Sequence, residues 1–369
     1  MKAPQVMDNP RPGFAEQLIR WQAVEGRHTL PWQQTRDPYR VWLSEIMLQQ
    51  TQVATVLGYY ARFLQHFPDV AALATASLDE VLAQWSGLGY YSRARNLHRC
   101  AQAVVAVHGG HFPPTADQLA TLPGIGRSTS AAIAAFCFGE RVAILDGNVK
   151  RVLSRVLAFD GDLAQAAQER QLWALATALL PAQGIEPYTQ GVMDLGAGLC
   201  SQRSPRCLPC PVRGHCAAGQ AGDAERYPVK TRKLKRSRRE HHWLSLVWRG
   251  QHWLVQRPAQ GIWAGLWSLC EFDDAVALQQ LAAAWPGEWR SLPSFTHVLT
   301  HLDWRLHPVQ LCLPDALDAS SVAALTGLLP GAAHGRWVPQ AEVPAMGLPA
   351  ALRKLLDQLD PANAIAKAG

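Results

Sequence analysis

The stretch that decides the fold of this chain reads Leu122-Pro123-Gly124-Ile125-Gly126-Arg127-Ser128-Thr129. Apolar residues at helical spacing precede and follow it, which predicts a tight turn between two helices. The two glycines permit a sharp turn and a close approach to a ligand, and amides at the start of the second helix can bind a phosphate oxygen. A plain helix–helix turn is the alternative. The leucine–proline pair and the flanking helices favour a DNA-binding helix-hairpin-helix motif at about 117–138.

Composition excludes several classes of protein. The chain has 369 residues, of which 48% are hydrophobic and 17% are charged. These values suit two domains with apolar cores and exclude wholesale disorder. No apolar run approaches the ~20 residues that cross a bilayer, and the N-terminus lacks the apolar core of a secretory signal. We therefore expect a cytoplasmic protein without a membrane partner.

The excess positive charge is concentrated in one segment. The formal net charge is +6, and residues 226–239 contain eight basic residues and no acidic residue. Such a segment suits a polyanion such as nucleic acid, although a solvated basic linker explains the charge equally well. We interpret 226–240 as a linker between two domains, open to contact with DNA or with a protein partner.

Hydrophobic periodicity changes at this linker. Before it, helical spacing dominates, with one continuous helical pattern from Val41 to Phe67. After it, 242–248 and 251–255 read as strands around a turn, and nine of the fourteen tryptophans follow residue 240. Helices are expected at 276–284 and 348–359. The predicted organisation is a helical domain at 1–225, an α+β domain at 241–360 and a tail at 361–369.

Four of the eight cysteines lie close together, at Cys200, Cys207, Cys210 and Cys216. Four thiolates within such a short segment can hold either a zinc ion or a [4Fe–4S] cluster. Zinc ribbons and fingers usually have two Cys-x2-Cys-like pairs, and this segment has one, so the spacing favours iron–sulfur. A zinc site that includes His215 is the alternative.

Two carboxylates stand out from apolar surroundings. Glu45 lies inside an apolar helical stretch, either as a surface residue or as a buried general acid with a raised pKa. Asp146 follows the apolar run at 143–145 and precedes a helix, where an N-cap is its usual role. Asp146 also lies 20 residues beyond the glycine-rich turn, next to the backbone that this turn would hold, which gives it a second candidate role at the bound DNA. The polar side chains of the run 49–52 suit contacts with base edges or phosphates. A solvent-exposed helix face is the alternative.

These features, in this order, resemble the adenine DNA glycosylases of the helix-hairpin-helix/iron–sulfur superfamily, the MutY type. The resemblance covers nearly the whole chain, and the matching motifs are 30–32, 41–53, 87–91, 122–129, 145–151, 187–197 and the four cysteines. The fold it implies is a mainly α N-terminal helix-hairpin-helix glycosylase domain with a four-cysteine cluster loop at 200–216. An α+β MutT-like (Nudix-fold) C-terminal domain follows.

The resemblance implies a monofunctional base excision repair enzyme with one [4Fe–4S] cluster on the four cysteines. Its substrate would be adenine paired with 8-oxoguanine or guanine in double-stranded DNA. By motif, Glu45 protonates the flipped adenine and Asp146 stabilises the sugar cation. Pocket residues in supporting roles are Ser128, Asn148, Lys150 and Gln190. DNA contacts are expected from Gln49, Gln50, Thr51, Tyr90, Gly124, Gly126, Arg127 and Ser128. Recognition of 8-oxoguanine is expected from Phe295, Thr296 and His297. We expect a monomer in a bacterial-type cytoplasm, associated with the nucleoid. Repair or replication proteins are the expected protein partners of the linker 226–240.

Ser128 separates this reading from its nearest rival. Thymine-glycol-type relatives carry a lysine there, which attacks the sugar, whereas a serine cannot form a Schiff base. The first alternative is therefore a bifunctional glycosylase/lyase for oxidised pyrimidines. The second is a non-catalytic nucleic-acid-binding metalloprotein. Lys150, one helical turn from Asp146, could trap some abasic sugar adventitiously.

Overall fold

A computed structural model describes residues 8–231 and 235–359 of the chain. Residues 232–234 of the basic linker and the tail at 361–369 lie outside the described residues. The described part divides into a first compact unit, residues 8–56, 69–71 and 99–231, and a second unit, residues 57–68, 72–98 and 235–359. Within these ranges no helix combines the length and the apolar character needed to cross a membrane.

Helices account for most of the chain before the linker. They are α1 (Phe14–Glu25), α2 (Pro38–Leu48), α3 (Val53–His66), α4 (Val70–Thr75), α5 (Leu78–Trp85), α6 (Ser92–His108), α7 (Ala116–Leu119), α8 (Arg127–Phe138), α9 (Gly147–Leu157), α10 (Ala166–Ala178), α11 (Ile185–Ala197) and α12 (Ala217–Ala221). A buried cluster from α1, α8, α9, α10 and α11 forms the core of the first unit. The helical first part of the predicted fold is confirmed.

The glycine-rich stretch joins α7 to α8. Gly124 has a φ of +77°, which favours glycine, and Gly126 is the N-cap of α8. Because glycine has no capping side chain, the first amides of α8 lack an acceptor from this residue. The helix then buries an alanine-rich face and ends at Gly139 with a φ of +68°. The helix before the turn, α7, is only four residues long.

The prediction of a continuous helix from Val41 to Phe67 is wrong. The chain leaves the helix after Leu48 and re-enters it at Val53, so residues 49–52 form a turn. Gln50 takes a left-handed φ of +57°, which a continuing α-helix does not allow. The side chains of 49–52 therefore do not form a solvent-exposed helix face.

The second unit contains an eight-stranded mixed sheet. Its strands are β1 (Ser237–Trp248), β2 (Gln251–Gln256), β3 (Trp267–Ser268), β4 (Cys270–Phe272), β5 (Glu288–Ser291), β6 (Phe295–Val298), β7 (Leu302–Cys312) and β8 (Gly335–Pro339). β1 and β7 pair in parallel over 11 positions, and the other described pairs are antiparallel. β1 begins within the segment 226–240. The two strands expected around Arg249 and Gly250 are confirmed.

Three helices accompany the sheet: α13 (Ala275–Ala284), α14 (Ala319–Gly327) and α15 (Ala350–Leu359). The helices expected at 276–284 and 348–359 are confirmed, whereas α14 was not predicted. Within the second unit, the loop after α5 packs on the segment that leads into α15. Ser86 Oγ donates to the Leu348 carbonyl at 2.9 Å and accepts from Arg353 Nε at 3.0 Å. These bonds fix the chain immediately before Tyr90.

Candidate active site

The first unit encloses a cavity of about 540 Å³. It is lined by residues of α2, the 49–52 turn, the start of α9, α11 and the segment 27–35. Its volume falls in the range of small-molecule sites. Five residues singled out from the sequence line it, namely Glu45, Thr51, Asp146, Asn148 and Gln190. The cavity is therefore the candidate active site.

Glu45 carries the most perturbed carboxyl group of this cavity. It lies in the last turns of α2, with buried apolar residues on either side in the sequence. Burial, with a smaller contribution from the nearby charge of Asp146, raises the pKa of Glu45 to about 8. The Glu45 carboxyl group can therefore hold a proton at neutral pH.

Asp146 is both the N-cap of α9 and a lining residue of the cavity. Its carboxylate accepts from the Val149 amide at 2.7 Å, the usual N-cap bond. Burial raises the pKa of Asp146, whereas the Val149 and Asn148 amides lower it, and the cationic Arg151 and Lys150 lower it as well. The two roles considered for Asp146 are thus compatible, because one carboxylate oxygen caps the helix and the residue still faces the cavity.

A buried carboxylate that the sequence analysis missed orients Gln190. Asp194 is 5% exposed and accepts from Gln190 Nε2 at 2.8 Å. It also accepts from the Arg27 backbone amide at 2.9 Å and from Arg27 Nε at 2.6 Å. Because Nε2 of Gln190 points to Asp194, Oε1 points away from it. The available signal was the spacing: Asp194 lies four residues after Gln190, on the same face of one helix.

Other predicted pocket residues lie outside the cavity lining. Ser128 Oγ accepts from the Leu145 amide at 3.1 Å, directly before Asp146. Lys150 Nζ forms an ion pair with Glu169 Oε1 at 2.5 Å. Ser128 therefore supports the start of α9, whereas the ammonium of Lys150 is engaged by a carboxylate of α10.

Asn148 connects the cavity to the cysteine loop. Its Oδ1 accepts from Arg151 Nη2 at 2.9 Å. Arg151 in turn donates from Nη2 to the Gly196 carbonyl at 2.8 Å and from Nε to the Cys200 carbonyl at 2.8 Å. The N-terminal end of α9 and the first cysteine are thus joined by two hydrogen-bonded side chains.

The residues expected to bind DNA in the first unit are mostly exposed. Gly124, Gly126, Arg127 and Gln50 are exposed, and the guanidinium of Arg127 lies 4.0 Å from the ring centroid of Trp173. Gln49 Nε2 donates to Thr129 Oγ1 at 3.4 Å, which connects the 49–52 turn to α8. The exposed amide end of α8 and a solvent-facing arginine suit a phosphate.

The remaining predicted residues lie in the second unit. Tyr90 is 46% exposed. Phe295, Thr296 and His297 lie on β6, with Thr296 exposed and His297 5.1 Å from the Trp263 ring, centroid to centroid. Burial lowers the pKa of His297 below its ordinary value, so its imidazole is neutral at pH 7.

The four clustered cysteines line one small cavity beside α9 and α11. None of them forms a disulfide, and all are partly buried. Arg155 Nη1 donates to Cys200 Sγ at 3.3 Å, and the Gly219 amide donates to Cys216 Sγ at 3.3 Å. Burial raises the pKa of the Cys210 thiol to about 11, and the other three cysteines raise it as well. No group of three or more His, Cys, Asp or Glu within 8–231 and 235–359 is arranged to hold a metal ion.

Comparison with known proteins identifies the family. Residues 43–177 match the HhH-GPD superfamily of base excision DNA repair proteins, and residues 242–358 match the NUDIX domain. The adenine DNA glycosylase of Buchnera aphidicola (subspecies Acyrthosiphon pisum) is 34% identical over 82% of this chain and 87% of its own length. The chain belongs to the adenine DNA glycosylase family.

Other members and a solved structure agree with this assignment. The human adenine DNA glycosylase is 33% identical, over 93% of this chain and 73% of its own length. The structure of a thermostable thymine-DNA glycosylase covers 56% of this chain and 95% of its own, with 27% identity and a TM-score of 0.50. As a family member, the chain is a DNA-binding base excision repair enzyme that hydrolyses the N-glycosidic bond of adenine. The predicted family, fold class and enzyme class are confirmed.

Proposed function

We propose that this adenine DNA glycosylase removes adenine mispaired with 8-oxoguanine or guanine, and that it does so without cleaving the DNA strand. The observation that carries the chemistry is the pairing of Glu45 and Asp146 in one cavity. Burial and the charge of Asp146 raise the pKa of Glu45 to about 8, while amides and cations oppose the rise in the pKa of Asp146. Glu45 can therefore donate a proton at pH 7, and the amides and cations around Asp146 favour its carboxylate form.

The division of work between the two groups follows from the bond that breaks. Glu45 donates its proton to a ring nitrogen of the flipped adenine, and the C1′–N9 electron pair leaves with the base. The sugar becomes an oxocarbenium-like cation, which the Asp146 carboxylate stabilises. Water then attacks C1′ and loses a proton, leaving an abasic site. Glycosidases divide two carboxyl groups in a comparable way.

The pocket contacts support adenine as the base. Asp194 holds Nε2 of Gln190, so the Oε1 acceptor is the end that can face a ligand. An acceptor suits the 6-amino group of adenine, whereas guanine presents an oxygen at that position. Asp194 is in turn fixed by two bonds from Arg27.

The side chains at the two candidate nucleophile positions, Ser128 and Lys150, support a monofunctional mechanism. The hydroxyl of Ser128 accepts from the Leu145 amide and has no amine with which to form a Schiff base. Lys150 is ion-paired with Glu169 and does not line the cavity, so its side chain is engaged away from the reacting sugar. We therefore expect the strand to stay intact after base release.

The C-terminal part of the chain would read the base opposite adenine. Thr296 of β6 is exposed and offers a hydroxyl that both donates and accepts, and His297 offers a neutral imidazole. Phe295, whose ring contacts Trp243 at 6.1 Å between centroids, steadies the strand. These groups suit the altered hydrogen-bonding edge of 8-oxoguanine.

The four cysteines have the ligand chemistry of a [4Fe–4S] cluster, in which each thiolate binds a different iron, so they need not converge on a single metal ion. Four thiols line one cavity, and two of them already accept N–H···S bonds from Arg155 and Gly219. Arg155 is 1% exposed and donates to Cys200, so its charge would be balanced by thiolate ligands. A cluster would supply a cross-link that fixes the loop, and it has redox chemistry of its own. A brown protein with a broad band near ~400 nm would support it, and a colourless zinc protein would refute it.

The deciding experiment measures base release in a single turnover from duplexes containing A:8-oxoguanine, A:G, A:T or thymine glycol. Half of each sample is treated with alkali before electrophoresis. We expect strand breaks only after alkali, and only from the two adenine mispairs. Breaks without alkali would show a lyase, and no release from bound DNA would favour a non-catalytic protein. The Glu45→Gln and Asp146→Asn variants should bind the duplex and release no base.

A further inference from the structure

Tyr90 is an aromatic side chain that a strained turn holds partly in solvent. Its φ is +48°, and it follows Gly87 and Gly89, whose φ values are +102° and +72°. A non-glycine residue in this region is strained and persists only where its surroundings enforce it. Here Trp85 Nε1 donates to the Gly89 carbonyl at 3.1 Å, and Arg93 Nη2 donates to the Leu88 carbonyl at 3.2 Å. These hydrogen bonds therefore hold the turn in the conformation that places the Tyr90 ring at the surface.

The ring of Tyr90 is held at two places. The guanidinium carbon of Arg93 lies 5.6 Å from the ring centroid. The hydroxyl forms a 2.6 Å hydrogen bond with Thr300 Oγ1, in which either oxygen can donate. Nevertheless 46% of Tyr90 stays exposed. The side chain is thus pre-oriented while part of it remains open to a ligand.

Thr300 lies at the tip of the hairpin between β6 and β7. The Leu299 amide donates to the Leu302 carbonyl at 2.8 Å and closes the turn that contains Thr300. On the other side of the tip, the Ser237 amide donates to the His301 carbonyl at 2.9 Å. β6 itself bears Phe295, Thr296 and His297. The bond to Thr300 therefore ties the Tyr90 ring to the hairpin that carries the three residues expected to contact 8-oxoguanine.

We propose that Thr300 is a positioning residue, which holds the Tyr90 ring as a stacking surface for a DNA base at a fixed spacing from β6. Stacking of an aromatic side chain on a base stabilises the complex, and an ordered ring loses less entropy on binding. The inference rests on the proposed function, because it assumes that β6 faces the base opposite adenine. Neither Thr300 nor its bond was expected from the sequence.

A double-mutant cycle tests this role on the full-length protein. Tyr90→Phe removes one hydroxyl, Thr300→Val removes the other, and the two are then combined. The first readout is the dissociation constant for an A:8-oxoguanine duplex. The second is the quenching of 2-aminopurine placed beside the 8-oxoguanine, which reports stacking of the ring.

We expect each single variant to bind about 3–5-fold more weakly and to lose part of the quenching, as the loss of one hydrogen bond implies. The double variant should be no worse than either single variant, and Thr300→Ser should restore wild-type behaviour. Additive effects, or a Thr300→Val protein that binds and quenches like wild type, would overturn the proposal. Ser291→Ala, at an exposed position at the end of β5, is the matched control and should change neither readout.

The same cycle repeated with an A:G duplex separates this inference from the proposed function. A wild-type protein without preference for 8-oxoguanine would refute the lesion-reading role of β6. Coupling between Tyr90 and Thr300 on both duplexes would still support the positioning role of Thr300. Loss of coupling on both duplexes, with 8-oxoguanine preference retained, would refute the positioning role alone. Equal thermal unfolding midpoints for wild type and Thr300→Val exclude a general loss of folding as the cause.

Discussion

At the scale of single residues, the proposed mechanism predicts that the protonation of Glu45 sets the pH range of the reaction. The acid must be protonated to assist adenine departure, and its pKa is raised to about 8. Asp146 must be ionised, and burial raises its pKa above the ordinary value. We therefore expect the single-turnover rate of adenine release to fall as pH rises through about 8. On the acid side it should fall again as Asp146 becomes protonated.

The measurement is the rate of base release between pH 4.5 and 9.5 at saturating enzyme, with DNA binding followed in parallel. A flat profile above pH 7, with binding unchanged, would contradict the assignment of Glu45 as the acid. Glu25→Gln, which changes an exposed carboxyl group on α1, serves as the control and should leave the profile unaltered.

The same carboxyl group affects stability. The pKa of Glu45 is higher in the folded protein than the ordinary 4.5, so folded molecules retain a proton that unfolded molecules lose. The contribution of Glu45 to the free energy of unfolding is therefore fully present below about pH 4.5 and declines as pH rises to about 8. We expect Glu45→Gln to be more stable than wild type by ~2 kcal/mol at pH 8.5, after allowance for partial solvent exposure.

Urea unfolding of wild type and Glu45→Gln at pH 5, 7 and 8.5 checks this. The difference between the two proteins should grow with pH. A constant difference would mean that Glu45 titrates near its ordinary pKa in the folded state.

Residue identity alone predicted part of this site. Glu45 and Asp146 stood out because a carboxyl group is rare among apolar neighbours. Asp194 did not, because its role depends on Arg27, which lies 167 residues away in the sequence. Such a partner becomes visible only when α1 and α11 pack together.

At the scale of elements, the cysteine loop depends on one arginine of α9. Arg155 is buried and donates to the carbonyls of Ser201, Gln202, Ala224 and Tyr227, at 2.6, 3.0, 2.8 and 3.2 Å. Replacing it with methionine would leave these carbonyls without their donor. We expect Arg155→Met to lower the free energy of unfolding by about 2–4 kcal/mol and to expose the cysteines to thiol reagents.

The control is Arg203→Met, at an exposed position of the same loop, which should cost less than about 0.5 kcal/mol. Urea unfolding and the rate of thiol modification are the two measurements. Equal stability of the two variants would show that the loop is held without Arg155.

The elements differed in how far sequence patterns revealed them. Helical periodicity predicted α8 and α9, and continuous apolar runs predicted β2 and the second half of β1, where residues 243–246 and 252–255 are buried in succession. The break at 49–52 was missed, because its apolar flanks keep helical spacing through a turn that contains neither glycine nor proline. The parallel pairing of β1 with β7 joins strands more than 50 residues apart, and no local signal encodes such a contact.

At the scale of the whole molecule, the distribution of charge predicts how the enzyme binds DNA. The net charge of +6 comes from the segment 226–239, which contains eight basic residues. Lys235, Arg238 and Arg239 are exposed within the described part of this segment, whereas Arg236 is engaged with Asp303. Exposed cations of this kind release counterions when they contact phosphates.

We therefore expect changing Lys235, Arg238 and Arg239 together to serine to weaken binding to any duplex, matched or mispaired. The slope of log K against log salt concentration should fall by about 2–3, because each lost phosphate contact accounts for about 0.9. The single-turnover rate at saturating enzyme should stay unchanged, since none of these residues lines the cavity. Binding measured from 50 to 300 mM salt decides the matter. An unchanged slope would exclude phosphate contact and leave the segment as a spacer or as a site for a protein partner.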